Sequence, residues 1–334
     1  MAASASSPSA RFVITGPTGW IGRALLDLLH RAGDPDALAA GDSVALFGSR
    51  SGTFALTGGK ALSIRPLAEI GPEDVAGAHV VHLAFLTKDK LGEMGTGEFA
   101  RTNAAIDDAV GHAIAAAAPA SLFIASSGAA RQAETGVEVN AYGLAKLEQE
   151  RRFLRFSEDT GVPVLCGRIF NLAGPHINKL QDYAISNFAV QALAGDDIAI
   201  GAGQPVFRSF LHVDDLCRMI VRAARESFGQ QRPVDLCGME VLELQDIAAR
   251  VANRIGKRSK FVRPDVTFSS KSEYVGNAVE SRLLAMKLAL PLKDFAEQLR
   301  DTVDWIVAND ERPVVEKAGE LEESCRHAVA SKEI

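Results

Sequence analysis

Apolar residues fall along the first half of the chain in two alternating textures. Short continuous runs at 11–15, 43–47, 61–64, 79–83, 121–125 and 162–168 read as buried strands. Between them, segments near 21–32, 97–118 and 140–160 repeat apolar residues at helical spacing, as Ile21, Leu25, Leu28 and Leu29 do. This alternation predicts an α/β, Rossmann-type, doubly wound parallel sheet. Parallel neighbours need a crossover, and crossover helices cover both sheet faces. After about residue 170 the texture changes. Short strand candidates at 198–200, 206–211 and 234–236 mix with helices near 183–194, 214–226, 243–256 and 294–308. That predicts a smaller mixed α/β substrate lobe at the C-terminal edge of the sheet, where open α/β sheets bind ligands. The expected organisation is a disordered lead-in over 1–10 and an NAD(P)-binding domain over 11–170. A substrate lobe over 171–310, sharing part of the sheet and helices, and a charged tail over 311–334 complete it.

The first strand–helix junction carries chemistry. Thr15-Gly16-Pro17-Thr18-Gly19-Trp20-Ile21-Gly22 leaves one strand and opens one helix. The first glycine permits the tight turn, the second lets backbone approach a phosphate, and the third lets helix and strand pack closely. The helix N-terminus offers unpaired N–H groups and a positive dipole end to the anion. Gly16, Thr18, Gly19, Trp20, Ile21 and Gly22 are therefore candidate pyrophosphate contacts. NAD-preferring sites place an acid at the end of the second strand, for the ribose 2′-hydroxyl. Here that strand ends Gly48-Ser49-Arg50-Ser51, and Asp34, Asp36 and Asp42 all precede it. The expected cofactor is thus NADP, with NAD as the alternative, and Ser49 and Arg50 are candidate 2′-phosphate contacts.

A second motif lies at Tyr142-Gly-Leu-Ala-Lys146. Four-residue spacing on a helix puts both side chains on one face. A phenol beside a fixed ammonium is expected to have its pKa lowered from about 10 toward neutrality. Tyr142 would then exchange a proton while a hydride moves, and Lys146 would hydrogen-bond the nicotinamide ribose. Ser126-Ser127-Gly128 ends the strand at 121–125, at the same sheet edge as the glycine loop. One serine is expected to hold a substrate oxygen and the other to be structural.

Composition narrows the class. A net charge of −6 excludes the clustered basic surface of a nucleic-acid binder, and no apolar run reaches the ~18 residues of a membrane span. The opening ten residues lack the basic and apolar blocks of a secretory signal, so the expected location is cytoplasmic. Cys166, Cys217, Cys237 and Cys325 are widely spaced, which suggests reduced thiols and neither a zinc site nor a disulfide framework. His82, inside a strand, and His212 read as structural, and no metal is expected.

Taken together, the motifs resemble the extended short-chain dehydrogenase/reductases, the NAD(P)-dependent nucleotide-sugar epimerase/dehydratase family. The resemblance runs from about residue 11 to 308 and rests on the glycine loop, His82-Leu83-Ala84, Asn103, Ser126-Ser127 and Tyr142-x-x-x-Lys146, with Phe170-Asn171 and Arg208-Ser-Phe-Leu-His-Val-Asp-Asp215 beyond them. It implies that Leu83, Ala84 and Phe85 line the adenosine or ribose side and that Asn103 steadies the cofactor-bearing loops. It favours Ser127 over Ser126 as catalytic, because Ser127 lies four residues before Arg131, a position that the family usually fills with Tyr. It implies that Phe170 packs near the nicotinamide and that Asn171 and Arg208 grip the diphosphate of a nucleotide-sugar. A homodimer through a four-helix contact, including the helix of Tyr142, is also implied.

Departures from the family pattern narrow the reaction. Dehydratases follow the active Ser/Thr with Asp-Glu, and epimerase-reductases of the GDP-fucose type have Cys two residues after it. This chain has Gly128-Ala129. What remains is NADPH-dependent reduction of a 4-keto sugar nucleotide, with Tyr142 as acid/base. The alternatives are 4-epimerisation through a transient ketone on a tightly held cofactor and, from another class, a non-catalytic redox sensor. The family's nucleotide-gripping arginine is missing near 268–275, where Lys271 or Tyr274 would substitute.

Overall fold

The computed structural model describes residues 10–56, 59–256 and 259–309. The charged tail and, apart from Ala10, the lead-in lie outside the described residues. Seven strands, β1 Arg11–Thr15, β2 Ser43–Gly48, β3 Gly52–Ala55, β4 Ala61–Pro66, β5 His79–His82, β6 Ser121–Ser127 and β7 Val164–Ile169, join the edge strand Val234–Leu236 in one sheet. The spatial order is Val234–Leu236, β7, β6, β5, β1, β2, β4, β3. All pairs are parallel except β3 with β4. The expected Rossmann-type sheet is present, with one antiparallel edge strand added. From β1 the chain first builds β2 to β4 on one side, then returns to β5 on the other. The carboxyl end of β1, where the glycine loop begins, is therefore the topological switch point.

Alternation along β1 sorts the two faces. Phe12 and Ile14 enter a core with Leu25, Leu28 and Leu216, under helices α1 (Trp20–Leu29) and α7 (Val213–Arg225). Val13 enters a second core with Val110, Ile114 and Phe153, under α3 (Leu91–Ala116) and α5 (Ala141–Thr160). The other helices are α2 (Pro72–Val75), α4 (Gly128–Thr135), α6 (Ala184–Ala194), α8 (Leu244–Ile255), α9 (Ala278–Lys287) and α10 (Phe295–Asn309). The expected helix near 97–118 begins earlier, at Leu91, because a second helical piece joins it across Gly95 at φ 77°.

The segment 206–211 does not form one strand. Val206–Arg208 pairs with Leu242–Glu243 and with Ser272–Tyr274, whereas Phe210–His212 pairs with Asn171–Ala173. The split matters for the site, because the first register sets Arg208 beside Tyr274. Two helices escape the apolar pattern. The buried residues of α4 are only Gly128, Ala129 and Ala130, and α9 turns Val279, Leu283 and Met286 outward.

Candidate active site

The three glycines of the loop meet three different constraints. Gly16 has φ +69°, and a Cβ there would lie 2.8 Å from Ala84 N. At Gly22 a Cβ would lie 2.6 Å from Gly16 O, so helix and loop touch backbone to backbone. Gly19 is the N-cap of α1 and has no capping side chain. A Cβ there would meet nothing closer than Gly16 O at 3.5 Å, which leaves room for an anion to reach the helix N–H groups. The buried Asn103 fastens the next loop by accepting from Leu86 N at 2.7 Å, while its Nδ2 has no partner. An open helix N-terminus and an unpartnered buried amide fit a dinucleotide.

Around this cradle the candidate residues divide. Trp20 turns its indole inward, donating to Pro175 O at 2.6 Å and packing on Tyr183, so only its backbone faces the loop. Ile21 is half-buried, and Thr18 is exposed with its carbonyl accepting from Arg23 Nε at 2.9 Å. Leu83 and Ala84 donate their N–H groups to Thr15 Oγ1. Beyond β2, Ser49 and Arg50 are exposed. Asp34 and Asp36 are held far from that strand end by α7, through Arg218 and Arg222.

At the end of β6 the two serines face different surroundings. Ser126 Oγ donates to Glu150 at 2.5 Å, and Glu150 is clamped by Arg168 through bonds of 2.8 and 2.6 Å. Ser127 caps α4 by accepting from Ala129 N at 3.2 Å and is hydrogen-bonded to Tyr274 at 2.9 Å. Tyr274 packs against Phe170, with ring centroids 5.0 Å apart and the rings tilted by 52°. Phe170 is wedged between two glycines, since a Cβ at Gly128 or Gly276 would lie 2.5 or 2.6 Å from its ring. Tyr274 is one of the two residues, with Lys271, offered by the sequence in place of the missing nucleotide-gripping arginine. It stands against Ser127 and in register with Arg208, and only that strand register brings it there. Lys271 turns outward to Glu273.

Tyr142 and Lys146 share one face of α5, but the expected proton chemistry needs correction. Burial pushes the Tyr142 phenol above its usual range, against a smaller lowering by the Ser127 hydroxyl. The ammonium does not lower it, because Lys146 is engaged elsewhere. Its Nζ donates to Ala125 O at 2.7 Å and Gln149 Oε1 at 3.0 Å, and it sits 3.5 Å over the Phe85 ring. Phe85 in turn meets Tyr142 edge-on at 6.1 Å. Burial brings Lys146 down to about 8, while Asp107, Cys166 and Glu150 pull the other way.

The diphosphate candidates differ from each other. Asn171 Nδ2 donates to Ser209 O at 3.0 Å and Tyr274 O at 3.2 Å, so its amide already fastens the lobe. Among the described residues the half-buried Arg208 makes one hydrogen bond, to Phe207 O, and no ion pair. Burial lowers its pKa, as expected of a guanidinium left without a counter-charge. Arg131 pairs with Asp235. His212 caps α7 by accepting from Asp214 N, and burial takes it down to about 4. Among the described residues no cluster of His, Cys, Asp or Glu could hold a metal, and no helix is long and apolar enough to cross a membrane.

A parallel sheet with a glycine cradle at its switch point, and Ser127, Tyr142 and Lys146 at the same edge, define a dinucleotide-binding protein of the short-chain dehydrogenase type. The chain belongs to the NAD dependent epimerase/dehydratase family, whose pattern matches residues 12–236. It is 24% identical over 168 residues to UDP-glucuronic acid decarboxylase 1 of Xenopus tropicalis, across 49% of this chain and 38% of that protein. A 24% match to UDP-glucuronic acid decarboxylase 6 of Arabidopsis thaliana covers 38% and 34%. The chain thus aligns with well under half the length of these curated relatives. A UDP-N-acetylglucosamine 4-epimerase from Methanobrevibacter ruminantium M1, in complex with UDP-N-acetylmuramic acid, shares the fold with a TM-score of 0.70 at 18% identity, covering 90% of this chain and 99% of that one. A dTDP-glucose 4,6-dehydratase double mutant from Streptomyces venezuelae, with NAD bound, superposes with a TM-score of 0.69 at 19% identity, over 90% and 97%.

Proposed function

We propose that this protein is an NADP(H)-dependent oxidoreductase that reduces the 4-keto group of a sugar nucleotide. The reading is carried by one observation: Ser127, Tyr142 and Lys146 flank the glycine cradle, while the turn after Ser127 holds no further acid or base. A side chain at Gly128 would strike the Phe170 ring, and Ala129 is buried, so elimination chemistry has no residue to perform it there. The preference for the 2′-phosphorylated cofactor is supported by a β2 end without a carboxylate, with Arg50 just beyond it. Arg23 of α1 reaches over Phe54 of β3, the strand that follows Arg50, and adds a second guanidinium. The unpaired Arg208 supports an anionic substrate such as a nucleotide diphosphate.

Bound NADPH supplies the hydride. Ser127 holds the ketone oxygen, and Tyr142 gives its proton to that oxygen as C4 is reduced, so C=O becomes CH–OH. Lys146 holds a positive charge at the ribose end. The proposed assembly is a homodimer through α5, whose Leu144 is exposed, as are Val137 and Val139 in the segment that leads into it.

The same residues suffice for 4-epimerisation, so the test must separate the two. Ligands released from natively purified protein are identified by mass spectrometry, and the protein is then incubated with NADPH and dTDP-4-keto-6-deoxyglucose. The expected result is released NADP(H) and stoichiometric NADPH oxidation, with NADPH affinity falling about tenfold in Arg50→Ala. Tightly bound NAD that is never consumed, with interconversion of UDP-sugars, would establish the epimerase instead.

A further inference from the structure

Behind Lys146 runs a row of buried polar side chains that neither the glycine cradle nor the Ser127–Tyr142 pair requires. Thr15 Oγ1 accepts from Leu83 N at 3.1 Å and Ala84 N at 3.0 Å. Both its lone pairs are then filled, so its single proton goes to His82 Nδ1 at 2.7 Å. With Nδ1 accepting, a neutral imidazole carries its proton on Nε2, which donates to Asp107 Oδ1 at 3.0 Å. The same carboxylate oxygen accepts from Gln149 Nε2 at 2.6 Å, which leaves Gln149 Oε1 to accept from Lys146 at 3.0 Å. Each proton has one place to go, and the direction of the whole row follows.

Thr15, His82, Asp107, Gln149 and Lys146 are each at most 5% exposed, so water does not compete with these bonds. A buried carboxylate without a compensating charge is costly. Among the described residues Asp107 touches no lysine or arginine, and its one ionisable contact is His82. The nearest fixed positive charge along the row is Lys146. The other groups facing that ammonium are Glu150 on its own helix, Cys166 on β7 and the Phe85 ring, which in turn meets Tyr142. Glu150 is paired with Arg168, which it shares with Glu134, and acts on Lys146 less than Asp107 does, while burial keeps the Cys166 thiol protonated. Asp107 is the carboxylate that acts most strongly on Lys146.

We propose that Asp107 is a positioning residue: acting through Gln149, it is the counter-charge that holds the Lys146 ammonium in place for the dinucleotide, and through His82 and Thr15 it ties that ammonium to the glycine loop. The proposal rests on the reading of Lys146 as a cofactor contact. Its consequence is a pH dependence. Burial alone favours neutral Lys146, and Asp107 opposes that, so removing the charge of Asp107 lets Lys146 lose its proton at lower pH.

The test is NADH and NADPH binding, followed by nicotinamide fluorescence between pH 6 and 9.5, for the wild type, Asp107→Asn, Gln149→Glu and the double variant. Asp107→Asn is expected to bind within about twofold of wild type at pH 6.5, where Lys146 keeps its proton, and about tenfold more weakly at pH 8.5. The double variant returns a carboxylate to the row and is expected to restore the basic limb. Equal weakening at both pH values, an unmoved basic limb or no rescue would overturn the proposal. If Asp107→Asn fails to fold, Gln149→Glu alone decides: the limb must move to higher pH. A wild type that binds neither dinucleotide at pH 6.5 overturns the cofactor reading, whereas normal binding with an unmoved limb overturns only the role of Asp107.

Discussion

At the end of β6 successive side chains point to opposite faces, so Ser126 turns to the Glu150–Arg168 pair while Ser127 turns to Phe170 and the two phenols. Local spacing made much of this legible. A Tyr and a Lys four apart must share a helix face, and a hydroxyl at a strand end lies at the sheet edge. Spacing carries no information about burial, however. Burial reverses the expected shift of Tyr142, and the three bonding directions of Lys146 point to Ala125, Gln149 and Phe85. Tyr274 was equally hidden, because it meets Ser127 across 147 residues through a register that no local pattern encodes. At this scale Tyr142→Phe is expected to lower turnover by about 10² to 10⁴-fold, the usual worth of a positioned proton donor. The fold should be unaltered, because the lost hydroxyl makes none of the packing contacts of α5. Steady-state rates together with a melting curve check both halves.

Among the elements, α1 and α7 are joined by more than their apolar faces. Arg218 of α7 donates to Asp34, Asp36 and Asp214, and Arg222 donates to Asp36 and to the carbonyls of Leu288 and Ala289. This cluster fixes the segment between α1 and β2, and with it the direction from which β2 reaches the cofactor edge. Removing Arg218 takes away the one guanidinium that touches all three of these largely buried carboxylates, leaving them to Arg31 and Arg222. Arg218→Ala is therefore expected to cost about 3 kcal/mol in urea unfolding at pH 7. The Arg218 hydrogen bond holds Asp34 down at about 2, below the ~3.9 of an unfolded aspartate. Its stabilisation is present above pH ~4 and is lost as pH falls toward 2. Arg218→Ala should flatten that acid limb, and an unchanged limb would show that the clasp is not what lowers Asp34. Elements without a large apolar stripe were the ones invisible in the sequence. Helix α4 buries only Gly and Ala, α9 buries Leu284 but exposes Val279, Leu283 and Met286, and the four-residue β3 is mostly exposed.

Across the whole molecule, the alternation of strands and helices was legible because α1, α3 and α5 announced themselves by their period, and the glycine spacing located the cradle. The spatial order of the strands came only with the structure. The segment beyond residue 170 was harder to read. Its strands are two or three residues long, too short to show alternation, and they pair across large separations. Those pairings nevertheless finish the site, since they bring Arg208, Asn171 and Tyr274 against the carboxyl end of β6. The proposed hydride-donor site on the sheet thus stands against a segment whose half-buried Arg208 has no ion pair among the described residues. The most direct test follows the hydride itself. Protein is incubated with NADPH carrying deuterium at the transferable position of the nicotinamide C4 and with dTDP-4-keto-6-deoxyglucose, and the sugar product is analysed by mass spectrometry. One deuterium bound to sugar carbon 4, for each NADPH oxidised and with Tyr142→Phe nearly inactive, is the predicted result. Unlabelled product, or full transfer in Tyr142→Phe, would contradict the account.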